Sequence, residues 1–118
     1  MLNLQNLNNA LLSAGQKDIQ VQGILIEPFE YDSGASVANQ YIIKLEHAEG
    51  VLFAFQSYET IIALKDDYNF TILDIDALDY SRTTLKFLKL FIGDSSPKKI
   101  LKDKISNGIY HIYDLNCN

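Results

Sequence analysis

Cysteine, tryptophan, proline and methionine are almost missing from this chain of 118 residues: one cysteine, no tryptophan, two prolines, one methionine. The lone cysteine, Cys117, can form no internal disulfide and can build no multi-cysteine zinc site, so a reducing compartment is expected. Histidine is scarce too. His47 and His111 fall in different segments without H-x-x-x-H spacing, and neither is expected to ligate a metal or transfer a proton. The six glycines, at 15, 23, 34, 50, 93 and 108, are isolated from one another. No G-x-x-x-x-G-K-S/T or G-x-G-x-x-G loop can therefore cradle a phosphate, and nucleotide binding is disfavoured. The opening MLNLQNLNNALLSAGQ has spaced apolar residues and no basic start, so it reads as neither signal peptide nor membrane span. Together these absences predict a cytoplasmic protein that is not an enzyme and needs no cofactor or metal.

What is present suits a single domain over residues 1–118. The hydrophobic fraction is 47% and the charged fraction 21%, ordinary for a folded chain, and this length supports one core. Net charge is −5, unevenly spread. Residues 1–79 hold twelve acids and three bases, a balance of −9, whereas residues 80–118 hold seven bases and three acids, a balance of +4. Such asymmetry speaks about partners and association rate.

The periodicities predict an α+β fold, an antiparallel meander of five or six strands packed against an N-terminal helix and two C-terminal helices. Leu4, Leu7, Leu11 and Leu12 place a helix over 3–14, stopped by Gly15. Ile19 and Val21 alternate with Gln20 and Gln22, the period of a strand over 18–27 with a possible bulge at Gly23. Residues 28–40 are rich in Pro, Ser, Gly, Asn and Asp and read as a long loop. Strands follow at 41–46, 51–56, 59–64 and 69–75, with connections too short for crossover helices. Val51, Phe53 and Phe55 point one way and Leu52 and Ala54 the other, so both sheet faces need cover. A helix over Arg82–Ile92, capped by Ser81 and stopped by Gly93, supplies one cover through Leu85, Leu88 and Ile92, widened by Phe87 and Phe91. Pro97 opens another helix, capped by Ser95 or Ser96 and running through Ile105, and residues 109–115 read as a last strand.

For chemistry the best carboxylate group is Asp74, Asp76 and Asp79. On a strand Asp74 and Asp76 would share a face about 6.6 Å apart, too far for one hard cation without further oxygen ligands. The wider acid-rich front is the candidate partner-binding surface: Glu46, Glu49, Tyr58, Glu59, Asp66, Asp67, Asp74, Asp76 and Asp79. A field of that sign draws basic surfaces, and tyrosine offers low-entropy contact. The carboxylate spacing also approximates two phosphate steps of DNA, as a nucleic-acid mimic would need. An alternative is direct nucleic-acid contact through Arg82, Lys86, Lys89, Lys98, Lys99 and Lys102, disfavoured by the single arginine and the acidic total. A third reading is a fold with no partner beyond itself, as a monomer or homodimer.

Ser57, Tyr58, Thr60, Ile62 and Ala63, followed by Tyr80, Ser81, Thr83, Thr84 and Lys86, resemble a pattern, S-Y-x-T-x-I-A then Y-S-x-T-T-x-K, of small proteins from Gram-positive phages and integrated elements. The resemblance spans about residues 51–92 and departs at Leu78 and Phe87, where relatives often carry tryptophan and a polar residue. It implies a genomic setting without a mechanism. By analogy with small acidic phage proteins, it points to an inhibitor of host defence, anti-CRISPR or anti-restriction in type, whose partner would be a host protein with a basic nucleic-acid-binding surface.

Overall fold

A computed structural model describes residues 2–68 and 70–117. It contains α1 (Leu4–Ser13), β1 (Gly23–Glu30), β2 (Ser36–His47), β3 (Gly50–Ser57), β4 (Thr60–Lys65), β5 (Thr71–Asp74), α2 (Arg82–Ile92), α3 (Lys98–Ser106) and β6 (His111–Tyr113). The six strands form one sheet in chain order. The fold is α+β as the periodicities predict, with one change of direction. β1 to β5 pair antiparallel, but β6 runs parallel to β5, with Ile72 opposite His111. The return through α2 and α3 gives the chain the length that a parallel pairing needs.

Each face has its own core. On one side Leu7, Ala10 and Leu11 of α1 cover Ile43, Leu45, Leu52, Ala54, Ile61, Leu64 and Ile72. On the other, Phe87, Leu88 and Phe91 of α2 and Leu101 of α3 cover Phe55, Ile62, Ala63 and Leu73. Phe55 meets Phe29 edge-on at 5.4 Å and Phe91 at 5.8 Å, so aromatic packing holds α2 to the strands. Helix α2 has the expected bounds. The Ser81 hydroxyl accepts from the Thr84 N–H, and Gly93 ends the helix at φ 67°, where a side chain would be strained. Lys65 completes the far end of that helix: its ammonium donates to the Phe91 carbonyl and lies 4.6 Å from the Phe91 ring centre. Burial lowers its pKa, and Asp67 opposes the shift.

Several boundaries differ from expectation. Ile19 and Val21 are not in a strand. The Asn8 side chain takes both the N–H and the carbonyl of Ile19 in hydrogen bonds of 2.8 and 3.1 Å, replacing a strand partner. β1 instead covers Gly23–Glu30, and β2 starts at Ser36, so residues 31–35 are all that remains of the loop expected over 28–40. Pro28 is tolerated because β1 is the sheet edge. The register shift falls between Pro28 and Glu30 and not at Gly23. Gly23 makes room for Glu46, whose carboxylate lies 3.0 Å from where a Cβ would stand. Helix α3 has no side-chain cap, against the serine expected, and Pro97 itself is the N-cap. Of the last strand only His111–Tyr113 pairs, and the expected strand over 69–75 contracts to Thr71–Asp74, with Asn69 outside the described residues.

Candidate functional site

The nine residues of the expected acidic front do not make one face. β4 separates eight of them into two groups at opposite ends of the sheet, about 17 Å apart along its six residues, and the ninth, Asp74, is buried.

Glu46, Glu49, Asp66 and Asp67 belong to the first end. Here the β2–β3 turn, closed by the His47 and Gly50 pair, comes beside the β4–β5 turn and the connector from α1 to β1. Between them lies a cleft of about 530 Å3, lined by Lys17, Asp18, His47, Glu49, Asp66, Asp67 and Tyr68, among others. Tyr68 is 81% exposed at its rim. Glu46 is exposed on β2 beside the cleft, opposite Val51, which lines it. Asp66 has a structural duty here: one of its oxygens accepts the N–H groups of Tyr68 at 2.8 Å and Phe70 at 3.1 Å. That closes the turn and places Asp67 and Tyr68 outward. Asp18, in the connector, lay outside the expected set because nothing in its local sequence links it to residues 49 and 66.

Tyr58, Glu59, Asp76 and Asp79 lie at the second end with the β3–β4 turn and the entry to α2. Tyr58 has φ 55°, uncommon for a bulky residue, and is held there by its N–H bond to the Asn39 carbonyl at 2.7 Å. Asn39 is itself at φ 63°. Asp79 is paired with Lys98, whose hydrogen bond and charge hold its carboxyl below its ordinary pKa. Asp76 is exposed in the turn after β5.

Asp74 is removed from any surface. Its residue is 2% exposed, and its carboxylate accepts from four donors. Tyr80 Oη (2.6 Å) and the Asp76 N–H (3.2 Å) reach one oxygen; the Leu115 N–H (2.9 Å) and Asn116 Nδ2 (3.1 Å) reach the other. The shared strand face expected for Asp74 and Asp76 is overturned, and with it the phosphate-like spacing of that pair, because Asp74 is enclosed and Asp76 lies in the turn after β5. Burial and the hydrogen bond to Asp74 raise the Tyr80 pKa well above its ordinary value. Local alternation cannot reveal this hub, because two of its donors come from a segment some forty residues later.

The basic residues are also partly committed. Besides Lys98, Lys104 donates to Asp94 at 2.6 Å, and the Tyr110 hydroxyl shares the same oxygen. Bonds from Lys104, Ser96 and Tyr110 hold the Asp94 carboxyl well below the usual carboxylate range, and burial with Asp94 alongside pushes Tyr110 up to about 12. Arg82, Lys86, Lys99 and Lys102 are exposed, and Lys89 is half-buried. His47 lines the cleft, His111 stacks near Phe70 at 5.7 Å, and Cys117 is exposed. Among the described residues no three His, Cys, Asp or Glu side chains are grouped to hold a metal ion, and no helix is long and apolar enough to cross a membrane.

The two halves of the serine and threonine pattern meet in space. Ser57 Oγ lies 2.9 Å from Thr84 Oγ1, and Ser81 Oγ donates to the same Thr84 oxygen at 3.0 Å. No curated protein and no solved structure matches the chain. A family model does match, over residues 8–107, from within α1 through the end of α3, and the chain therefore belongs to a family of unknown function, DUF8033.

Proposed function

We propose that this chain is a non-enzymatic binding protein of a phage or mobile element. Its acidic turn end docks on a basic surface of a cytoplasmic host nuclease, or another nucleic-acid-handling protein of host defence, and blocks that surface to nucleic acid. The observation carrying this reading is the convergence of Asp18, Glu49, Asp66 and Asp67 on one cleft, with Glu46 beside it and the exposed Tyr68 at the rim. Four acids against one base, Lys17, leave the cleft with an excess of negative charge, and such an excess in a concave site strengthens the local field and speeds association with an oppositely charged partner, by about tenfold or more in steered pairs. The attraction acts through the cleft and not through strand carboxylates, since Asp74 is enclosed.

The test is plasmid cleavage by a panel of purified Gram-positive restriction and CRISPR nucleases, in the presence of rising amounts of this protein. Inhibition of a member of the panel should weaken as salt rises, because exposed charges farther apart than about 8 Å are screened at physiological ionic strength. Glu49→Lys with Asp67→Lys should slow association with that nuclease about tenfold or more, while Lys99→Glu with Lys102→Glu should change it little. Asp66 is left intact because its carboxylate closes a turn. If the basic set matters as much as the acidic one, or the protein itself retains DNA at moderate salt, contact through the C-terminal helices replaces this reading.

A further inference from the structure

The two edges of the sheet are treated differently. One edge, β6, is three residues long, and short edges are poor templates for another strand. The other, β1, is eight residues long. Its second half carries the usual protections, Pro28 and the register shift beside it. Its first half carries none: Ile24, Leu25 and Ile26 are 55, 49 and 59% exposed and include no charge. A bare apolar edge is the place where a further strand adds.

The backbone parity of that half follows from the register. The two-residue turn Ala48-Glu49 makes His47 and Gly50 a hydrogen-bonded pair of β2 and β3, so the alternate residues Glu46, Lys44 and Ile42 bond β1. Their partners are Gly23, Leu25 and Glu27. Ile24 and Ile26 therefore turn their N–H and carbonyl groups to the open edge, and so does Pro28, which has no N–H to lose there.

We propose that β1 pairs antiparallel with β1 of a second copy of this chain about a two-fold axis at Leu25, giving a continuous twelve-stranded sheet. In that register Ile24 of each copy faces Ile26 of the other as a hydrogen-bonded pair, and all four outward N–H groups and their carbonyls are used. Ile24 and Ile26 extend the face that carries Ile43 and Leu45, because they pair with Leu45 and Ile43. The four isoleucines thus form one apolar strip across the axis, while the two Leu25 side chains meet on the opposite face. Glu27 falls opposite Gly23, so no like charges oppose, and its carboxylate is already neutralised by Lys44 at 3.2 Å. Neighbouring registers fit less well. Centring on Ile26 sets Ile24 against Pro28, which has no donor, and centring on Ile24 sets Ile26 against Gln22, whose N–H is bound to the Glu46 carbonyl at 2.7 Å. It is this self-complementarity that singles out a second copy over a foreign strand.

The contact is small, so the dimer is reversible and depends on concentration. Sedimentation equilibrium of the full chain should show a mass rising with concentration from 13.4 kDa towards twice that value. Ile26→Pro, which removes one outward donor per copy while keeping an apolar residue, should hold the mass at 13.4 kDa. Leu25→Cys in a Cys117→Ser background should cross-link to a covalent dimer on mild oxidation, because facing residues of a non-hydrogen-bonded pair lie about 4.5 Å apart at Cα, within disulfide reach. A constant monomer mass would overturn the proposal and assign the edge to a strand of another protein. Dimers that survive Ile26→Pro, or that form without the Leu25→Cys cross-link, would overturn it in favour of another face. Should Ile26→Pro fail to fold, the wild-type mass and the cross-link decide the question.

Discussion

Replacing Asp74 by Ala should be among the most damaging single changes in the molecule. The carboxylate is enclosed and accepts four hydrogen bonds, two from the β5–α2 connection (Asp76 and Tyr80) and two from the chain end (Leu115 and Asn116). Hydrogen bonds to a charged group each contribute about 1.5–3 kcal/mol, and they do not add when donors share an acceptor. Breaking a buried charged network by removing one member costs about 3–5 kcal/mol. Whole-domain stability is about 5–15 kcal/mol, so the loss is a large share of the total. It should appear as a drop in Tm on the order of 10–20 °C, and in urea titrations followed by circular dichroism as an earlier midpoint. Asp74→Asn should cost nearly as much, because its amide sets a donor against two donors whichever way it turns. Asp76→Ala, an exposed neighbour, is the control and should cost under about 1 kcal/mol. If Asp74→Ala also costs under about 1 kcal/mol, the carboxylate reaches solvent and returns to the list of groups a partner could touch.

Leu88→Ala removes a fully enclosed side chain of α2 and should cost about 2–5 kcal/mol in the same titration; a loss below about 1 kcal/mol would make α2 a peripheral element with its apolar face open to a partner. Gly93→Ala should cost about 1 kcal/mol through backbone strain alone, since Gly93 lies at φ 67° with no atom within 4 Å of an added Cβ. For pH, Tyr80 and Tyr110 both have folded pKa values raised above the ordinary 10.0. The folded state keeps their protons where the unfolded chain releases them, so stability is fully present below pH 10 and falls as pH rises, through about 12 for Tyr110. Urea midpoints measured between pH 8 and 11.5 should show this fall, and a double Tyr→Phe variant should flatten it. Asp94 acts in the opposite sense: its lowered pKa means stability lost as pH drops below about 3.8, and Asp94→Asn should weaken that acid limb.

Helix α2 was legible in the sequence because its signals are local: Ser81 and Gly93 bracket an apolar stripe, and the structure keeps both bounds. The central strands β3 and β4 were legible for the same reason. The edge region was not. Residues 28–40 have the composition of a loop, but strand formation there is decided by pairing with residues far along the chain, and Pro28 is harmless once its nitrogen faces the open edge. Ile19 and Val21 have a strand's alternation, but the Asn8 side chain of α1 takes the backbone of Ile19 in place of a strand partner. The direction of β6 depends on where α3 delivers the chain, which no local pattern encodes. Among the candidate site residues, Glu49, Asp66 and Asp67 do come together. Asp74 and Asp79 have partners supplied by Leu115 and Asn116 and by Lys98, so their charge could be counted from the sequence while their availability could not.

The resemblance pattern bears on where function should be sought. Thr84 and Ser57 are enclosed, and the Thr84 hydroxyl can accept from the exposed Ser81 while donating to Ser57, so the two buried hydroxyls satisfy one another. Tyr80 serves the Asp74 hub, and Ser81 also caps α2. Packing and capping account for these residue types: Val at 84 would orphan the buried Ser57 hydroxyl, and Ala at 81 would uncap a helix that roofs half the core. A chain sharing the pattern would share a joint between the β3–β4 turn and α2, which says nothing about its ligand. Under the proposed reading, binding specificity lies in side chains the joint does not use, namely the acidic turns at the opposite end of β4.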